Sequence, residues 1–435
     1  MAIPANHTRC LRSAGLLVAL LLAIAAPVFA QEEPEAPSEP AAAAAAHFDP
    51  VAATQAYLDR LTPEQKARSN AYFEGGYWLQ LWGFLYGLGI AWLLLSKRWS
   101  AAMRSLAERV TRFGPLRNFL YAVQYLAVTF VLGLPLSIYA GFFREHKYGL
   151  ATQGFGGWLG DQAKGLALTL VLGGLAITGL YAVLKRAPRT WWLWGTVASI
   201  VFLMFVALIT PVFINPVFNE YTRLEDPAIR DPILSLARAS GVPADNVWVM
   251  DASRQTTRIS ANVSGFLGTE RITLNDNLLA RGSQAEIEAV MGHEIGHYVL
   301  NHVYEMIVEF GIVLALGFAF LSFAFERARQ KWGAGWGVTG VADVAGLPLL
   351  AALFSVFFFF MTPVTNTIIR VNESEADLYG LNSAQQPDGF AEAALKLGEY
   401  RKLSPGPIEE FVFFDHPSGR NRILMAMRWK AEHLP

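Results

Sequence analysis

Val290-Met291-Gly292-His293-Glu294-Ile295-Gly296-His297-Tyr298 is the stretch from which the rest of the chain is read. It reads as a helix, and at 3.6 residues per turn its two histidines, four apart, stand one above the other with Glu294 beside them. That spacing lets two neutral imidazoles hold one zinc ion while a carboxylate waits next to it. Just upstream, Ser283-Gln284-Ala285-Glu286 has the pattern of a capping box and predicts where this helix begins.

A catalytic zinc site takes three protein ligands and leaves one position open. With 8 histidines and 36 acidic residues to choose from, context must select the third, and Glu373-Ser374-Glu375-Ala376-Asp377, directly after a long apolar run, is the best source. Glu373 and Asp377 share a helical face. Glu373 can therefore bind the metal while Asp377 accepts the free ring N–H of a ligating histidine, the gluzincin arrangement. Glu294 is then free to serve as a base toward a zinc-activated water, and the reaction that follows is amide hydrolysis. An oxyanion on the substrate carbonyl needs a further donor; His416 and Arg422 are the downstream candidates, although spacing alone favours a structural role for each. Glu375 reads as surface. His302, five residues past His297, turns away from the metal face and reads as structural. Glu305 and Glu309, entering an apolar run, point to a wet interior.

The composition is that of a membrane protein: 53% hydrophobic against 16% charged residues leaves too little charge to clothe a soluble chain of 435 residues. A net charge of -1 argues against a nucleic-acid partner. The single cysteine, Cys10, excludes intrachain disulfides and a thiolate zinc site. It falls in residues 1–30, a basic start, a short apolar run and small residues before Gln31, which read as a signal peptide or a retained anchor. Residues 31–50, rich in Pro, Glu and Ala, read as a disordered linker. Thr62-Pro63-Glu64-Gln65 predicts the start of a short interfacial helix.

Six apolar runs follow, at 77–96, 119–143, 165–184, 191–214, 306–325 and 345–369, each long enough to cross a bilayer. Lys97, Arg98, Arg104, Arg109, Arg112 and Arg117 follow the first run, Lys185, Arg186 and Arg189 the third, and Arg327, Arg329 and Lys331 the fifth. The positive-inside rule sets these loops in the cytoplasm and His293 on the opposite side, the periplasm of a bacterial inner membrane. Strands are expected at 247–250 and 271–274 with a more polar extended run at 258–263. The fold class is therefore mainly α, a polytopic membrane protein with about six transmembrane helices and a zincin-like catalytic domain carrying a small β-sheet. Residues 51–214 form the N-terminal helical region with four spans, and 215–435 the zinc peptidase domain, interrupted by the spans at 306–325 and 345–369.

Four stretches carry a family resemblance. They are Arg144-Glu145-His146-Lys147-Tyr148-Gly149-Leu150; Ile209-Thr210-Pro211-Val212-Phe213-Ile214-Asn215-Pro216 with Leu224-Glu225-Asp226-Pro227; the His293 motif; and Arg370-Val371-Asn372-Glu373-Ser374-Glu375-Ala376-Asp377. In order and spacing the chain resembles the integral-membrane zinc proteases of CAAX prenyl protease 1 type, from about Tyr77 to the C-terminus. The resemblance implies that His293, His297 and Glu373 bind one Zn2+ per chain, that Glu294 is the base, and that Asp377 supports. It implies that His416 and Arg422 hold substrate and transition state. Ser260, Ala261, Asn262 and Val263 look like the edge strand on which an extended polypeptide substrate adds as a further strand. The family pattern usually has Asn, Ala and Tyr there, where this chain has Ser260, Ala261 and Asn262. A large chamber walled by the spanning helices is also implied. The expected protein is a monomer in the lipid bilayer, a zinc metalloendopeptidase in proteolytic processing or quality control of polypeptides at the membrane. The alternative, a non-catalytic zinc-binding scaffold or transporter, has no use for Glu294 in its position.

Overall fold

The computed structural model describes residues 48–264 and 271–434; the expected signal segment and most of the expected linker lie outside them. Among the described residues six helices are long and apolar enough to cross a membrane: Pro63–Ser96, Gly114–Lys147, Phe155–Arg186, Trp191–Phe218, His302–Trp336 and Val344–Ala384. Each contains one of the six apolar runs. Their large side chains are bare where lipid would lie: Trp78, Trp82, Trp92, Phe205, Phe213 and Phe360 are all half or more exposed. Between the spans, Leu94, Tyr121, Tyr181, Leu184 and Phe325 form a fully buried core. The chain is a multi-pass membrane protein.

The first span differs from expectation. Thr62 caps it as predicted, its hydroxyl accepting from the Gln65 N–H while the Gln65 side chain accepts from the Thr62 N–H. The helix does not stop short at the interface, however. It runs unbroken for 34 residues to Ser96, because nothing between the polar first turns and the apolar run breaks it. The loop after this span and the one before the last meet on one face, where Arg104 Nη1 lies 2.5 Å from Asp343 Oδ2.

The second, third and fourth spans each contain one widened turn, at Tyr139–Phe143, Thr169–Gly173 and Thr210–Ile214. Pro135 precedes the first and Pro211 lies within the third, and each removes an N–H from the regular ladder.

Opposite the Arg104 face sits a four-stranded sheet in the order β1-β2-β4-β3, from Tyr221–Arg223 (β1), Val247–Met250 (β2), Ala261–Ser264 (β3) and Arg271–Asn275 (β4). β2 and β4 run parallel, while β1 and β3 pair antiparallel on the two edges. Ile272 and Leu274 of β4 pack with Ile287, Met291 and Ile295 of the motif helix, Gln284–Val299, in one core. Ser283 caps that helix with Glu286, as the sequence predicts.

What sets the site is the approach of the motif helix to the last helix, Leu347–Ala384. Gly292 and Gly296 face Ala376 and Gly380; a Cβ on Gly380 would lie 2.7 Å from the His293 backbone nitrogen. Without side chains between them the backbones come close enough for residues 373 and 377 to reach the histidines. Residues 370–381, past the apolar run, do not project into solvent. Asn372, Glu373, Asp377, Gly380 and Leu381 are buried, because the motif helix and the C-terminal helix Gly419–His433 cover them.

Candidate active site

His293 Nε2 and His297 Nε2 are 3.2 Å apart. Glu373 Oε2 is 3.3 Å from the first, and Glu373 Oε1 3.4 Å from the second. A tetrahedral ion with bonds of about 2.0–2.1 Å separates its ligands by about 3.3–3.4 Å, so the three groups stand where one such ion would require them. The donor chemistry agrees. Glu373 Oε2 is buried without a hydrogen-bond donor, facing ring nitrogens that carry lone pairs once neutral. Burial disfavours charge on His293, yet Asp377 and Glu373 push its pKa up to about 10. The residues present fit a cation.

Around this triad each candidate has a definite place. His293 Nδ1 lies 2.7 Å from Asp377 Oδ1, and Asp377 is fully buried. Arg422 grips the same carboxylate with two nitrogens, its Nε donating to Oδ2 at 2.9 Å. His416 Nε2 is 3.2 Å from Glu373 Oε2, and its Nδ1 2.8 Å from Asp415 Oδ1. Glu294 is held beside the triad, and burial raises its carboxyl above the usual range while the two imidazoles oppose that rise.

A cavity of about 230 Å³ opens onto these groups, lined by His293, Glu294, Glu373, His416 and Arg422 together with Ser260 and Ala261. β3 is an edge strand, as expected, with Ala261 opposite Leu274. Of the four candidate residues, Ser260, just before the strand, and Ala261 line the cavity, while Asn262 and Val263 do not. The lead-in to the strand is fixed by Asn275, which accepts from the Ser260 N–H at 3.1 Å and donates to the Arg258 carbonyl at 2.7 Å. A second, larger cavity of about 760 Å³ lies among the spanning helices, where Glu145, His146, Asp161 and Arg258 line it.

Some of this was not visible in sequence. Phe390, Tyr400 and Arg401 line the active cavity without belonging to any motif. Arg370, which heads the fourth stretch of the resemblance but was given no role there, donates to the carbonyls of Glu410 and Phe414 and so anchors the segment that carries His416. His302 is not turned away from the metal face region. The motif helix ends at Val299 and Asn301 takes a left-handed conformation, so the helical spacing stops applying and the chain brings His302 Nδ1 to 2.9 Å from His297 Nδ1. Glu375, half exposed, is not idle surface either: its Oε2 lies 3.3 Å from His302 Nε2.

A pair of histidines and a glutamate at the spacing one metal ion would need, in a chain with six membrane-crossing helices, is the arrangement a membrane metalloendopeptidase requires. The comparisons agree. Residues 223–430 match the model of peptidase family M48, and residues 49–220 that of the CAAX prenyl protease N-terminal region, described as five membrane helices. An uncharacterized metalloprotease, YhfN, of Bacillus subtilis is 29% identical over 358 residues, 81% of this chain and 83% of that protein. CAAX prenyl protease 1 of Saccharomyces cerevisiae is 26% identical, over 84% of this chain and 86% of its own. The crystal structure of S. mikatae Ste24p shares the fold, with a TM-score of 0.72 at 23% identity over 87% of this chain and 94% of that one. The chain belongs to peptidase family M48, as a metalloprotease of CAAX prenyl protease type.

Proposed function

We propose that this protein is a zinc endopeptidase that cuts extended polypeptide segments reaching the membrane face, with His293, His297 and Glu373 holding one Zn2+ and Glu294 as general base. The observation that carries the reading is the set of three ligand-to-ligand distances, 3.2, 3.3 and 3.4 Å, on a cavity that Glu294 also lines. When bound there, zinc supplies Lewis acidity, which brings the pKa of a water near 7 and polarises a carbonyl. Glu294 takes the proton from the attacking water and passes it to the departing amine nitrogen, work suited to a carboxyl that burial raises above its usual range. Asp377 fixes the tautomer of His293 by accepting its Nδ1 hydrogen, and Arg422 holds Asp377 in place. His416, beside Glu373 on the cavity wall, is the donor toward an oxyanion on the substrate carbonyl. The free edge at Ser260 and Ala261 takes the substrate as an added strand.

Residues 51–214 supply the N-terminal helical region and 215–435 the peptidase domain. The basic loops after the first, third and fifth spans support a site outside the cytoplasm, facing the periplasm of a bacterial inner membrane. That location favours processing or quality control of membrane and exported polypeptides. Two experiments test the reading. Glu294→Gln retains its zinc and loses cleavage of an unstructured peptide by about 10²–10⁴-fold; equal cleavage by the two proteins defeats it. A phosphatase reporter that works only in the periplasm, fused after Pro435, is active; an inactive reporter puts the site in the cytoplasm.

A further inference from the structure

We propose that His302 is a positioning residue for the metal site, the acceptor that fixes the tautomer and ring plane of His297, and that it is itself set by Glu375. This rests on the reading of His293, His297 and Glu373 as ligands. With Nε2 of His297 turned to the metal position, a neutral ring carries its hydrogen on Nδ1. The partner of that nitrogen is His302 Nδ1, at 2.9 Å, and the two rings are inclined at 73° with centroids 5.0 Å apart. A nitrogen that accepts cannot also hold the hydrogen of its own neutral ring, so His302 carries it on Nε2, which faces Glu375 Oε2 at 3.3 Å. His302 is only 1% exposed, so water does not compete for its accepting nitrogen.

The two ligand histidines are thus backed differently. His293 gives its hydrogen to a buried carboxylate that Arg422 also binds. His297 gives its hydrogen to a neutral ring, which passes the polarity on to a carboxylate at the surface. The same assignment speaks against a second use of this corner. His302, Glu305 and Glu375 could place ligand atoms within 4.8 Å of one another around a cation. With its hydrogen on Nε2, however, His302 has no lone pair left for a metal.

The test uses the full-length protein in detergent and reads zinc affinity by competition with a chromophoric chelator. It also reads the visible spectrum of the cobalt-substituted protein and the melting of the metal-free form. His302→Gln, whose amide reaches the Nε2 position but not the Nδ1 position, weakens zinc binding about 10–100-fold and alters the cobalt spectrum. His302→Asn returns an acceptor oxygen to the place of Nδ1, and binding recovers to within about threefold of wild type. Glu375→Ala gives a smaller loss, about two- to fivefold. The metal-free forms melt alike. The proposal falls if both His302 variants bind zinc like wild type, if His302→Asn binds as poorly as His302→Gln, or if wild type holds two ions per chain. Wild type that binds no zinc defeats the ligand reading itself.

Discussion

The last spanning helix, Leu347–Ala384, has two halves that obey different rules. In the first, Phe357, Phe358, Phe359 and Phe360 follow one another, partly buried at best, and Phe360 is 73% exposed. In the second, Asn372, Glu373 and Asp377 are buried although each is polar or charged. The apolar half needs no particular partner, because a bilayer satisfies it wherever it turns. The polar half is tolerable only because His293, His416 and Arg422 come to meet it. Hydropathy therefore locates where lipid ends along this helix, while the chemistry begins within a few residues of that point.

The contrast can be broken by substitution. Asp377→Ala leaves Arg422 buried without its carboxylate and frees the His293 ring, and thermal or denaturant unfolding in detergent registers a loss of about 3–5 kcal/mol. Glu286, on the motif helix that covers the polar half, is a milder case, since its partner Lys396 is partly exposed. Glu286→Gln costs about 1–3 kcal/mol at neutral pH. Burial raises the Glu286 carboxyl, but its bonds to Lys396 and to Ser283 outweigh that and hold it below the usual range. A depressed carboxyl contributes stability above its unfolded value, about 4.3, and loses it as pH falls through the lower folded one. The gap between wild type and Glu286→Gln should therefore close in acid, which melting curves at neutral pH and below pH 4 will show. Phe360→Ala, in the lipid-facing half, changes stability by less than about 0.5 kcal/mol. A loss there as large as at Asp377 would erase the distinction between the halves.

Much of this was legible because it depends on local pattern. The six spans follow from apolar length, the cap at Ser283 from its own four residues, and the shared face of Glu373 and Asp377 from helical spacing, with context nominating them as partners of His293. What escaped depends on where helices stop. The break after Val299 returns His302 toward His297, and no periodicity reports a turn of that kind. The opposite error befell Pro63–Ser96, where a change from polar to apolar composition looks like an end but is not one. The grip of Arg422 on Asp377 joins positions 45 residues apart through tertiary packing alone. Sequence nominated Arg422, by resemblance, to hold substrate and transition state, but gave no sign of its grip on Asp377.

Glu373 leaves the ribosome 76 residues after His297, with two membrane crossings between them, and His416 and Arg422 come later still. A nascent chain that has displayed only the two histidines carries no complete metal site. With the proposed ligands, the site can be completed only once Glu373, on the last spanning helix, has joined the two histidines. The order of the parts along the chain would then keep such a hydrolase silent during its own synthesis.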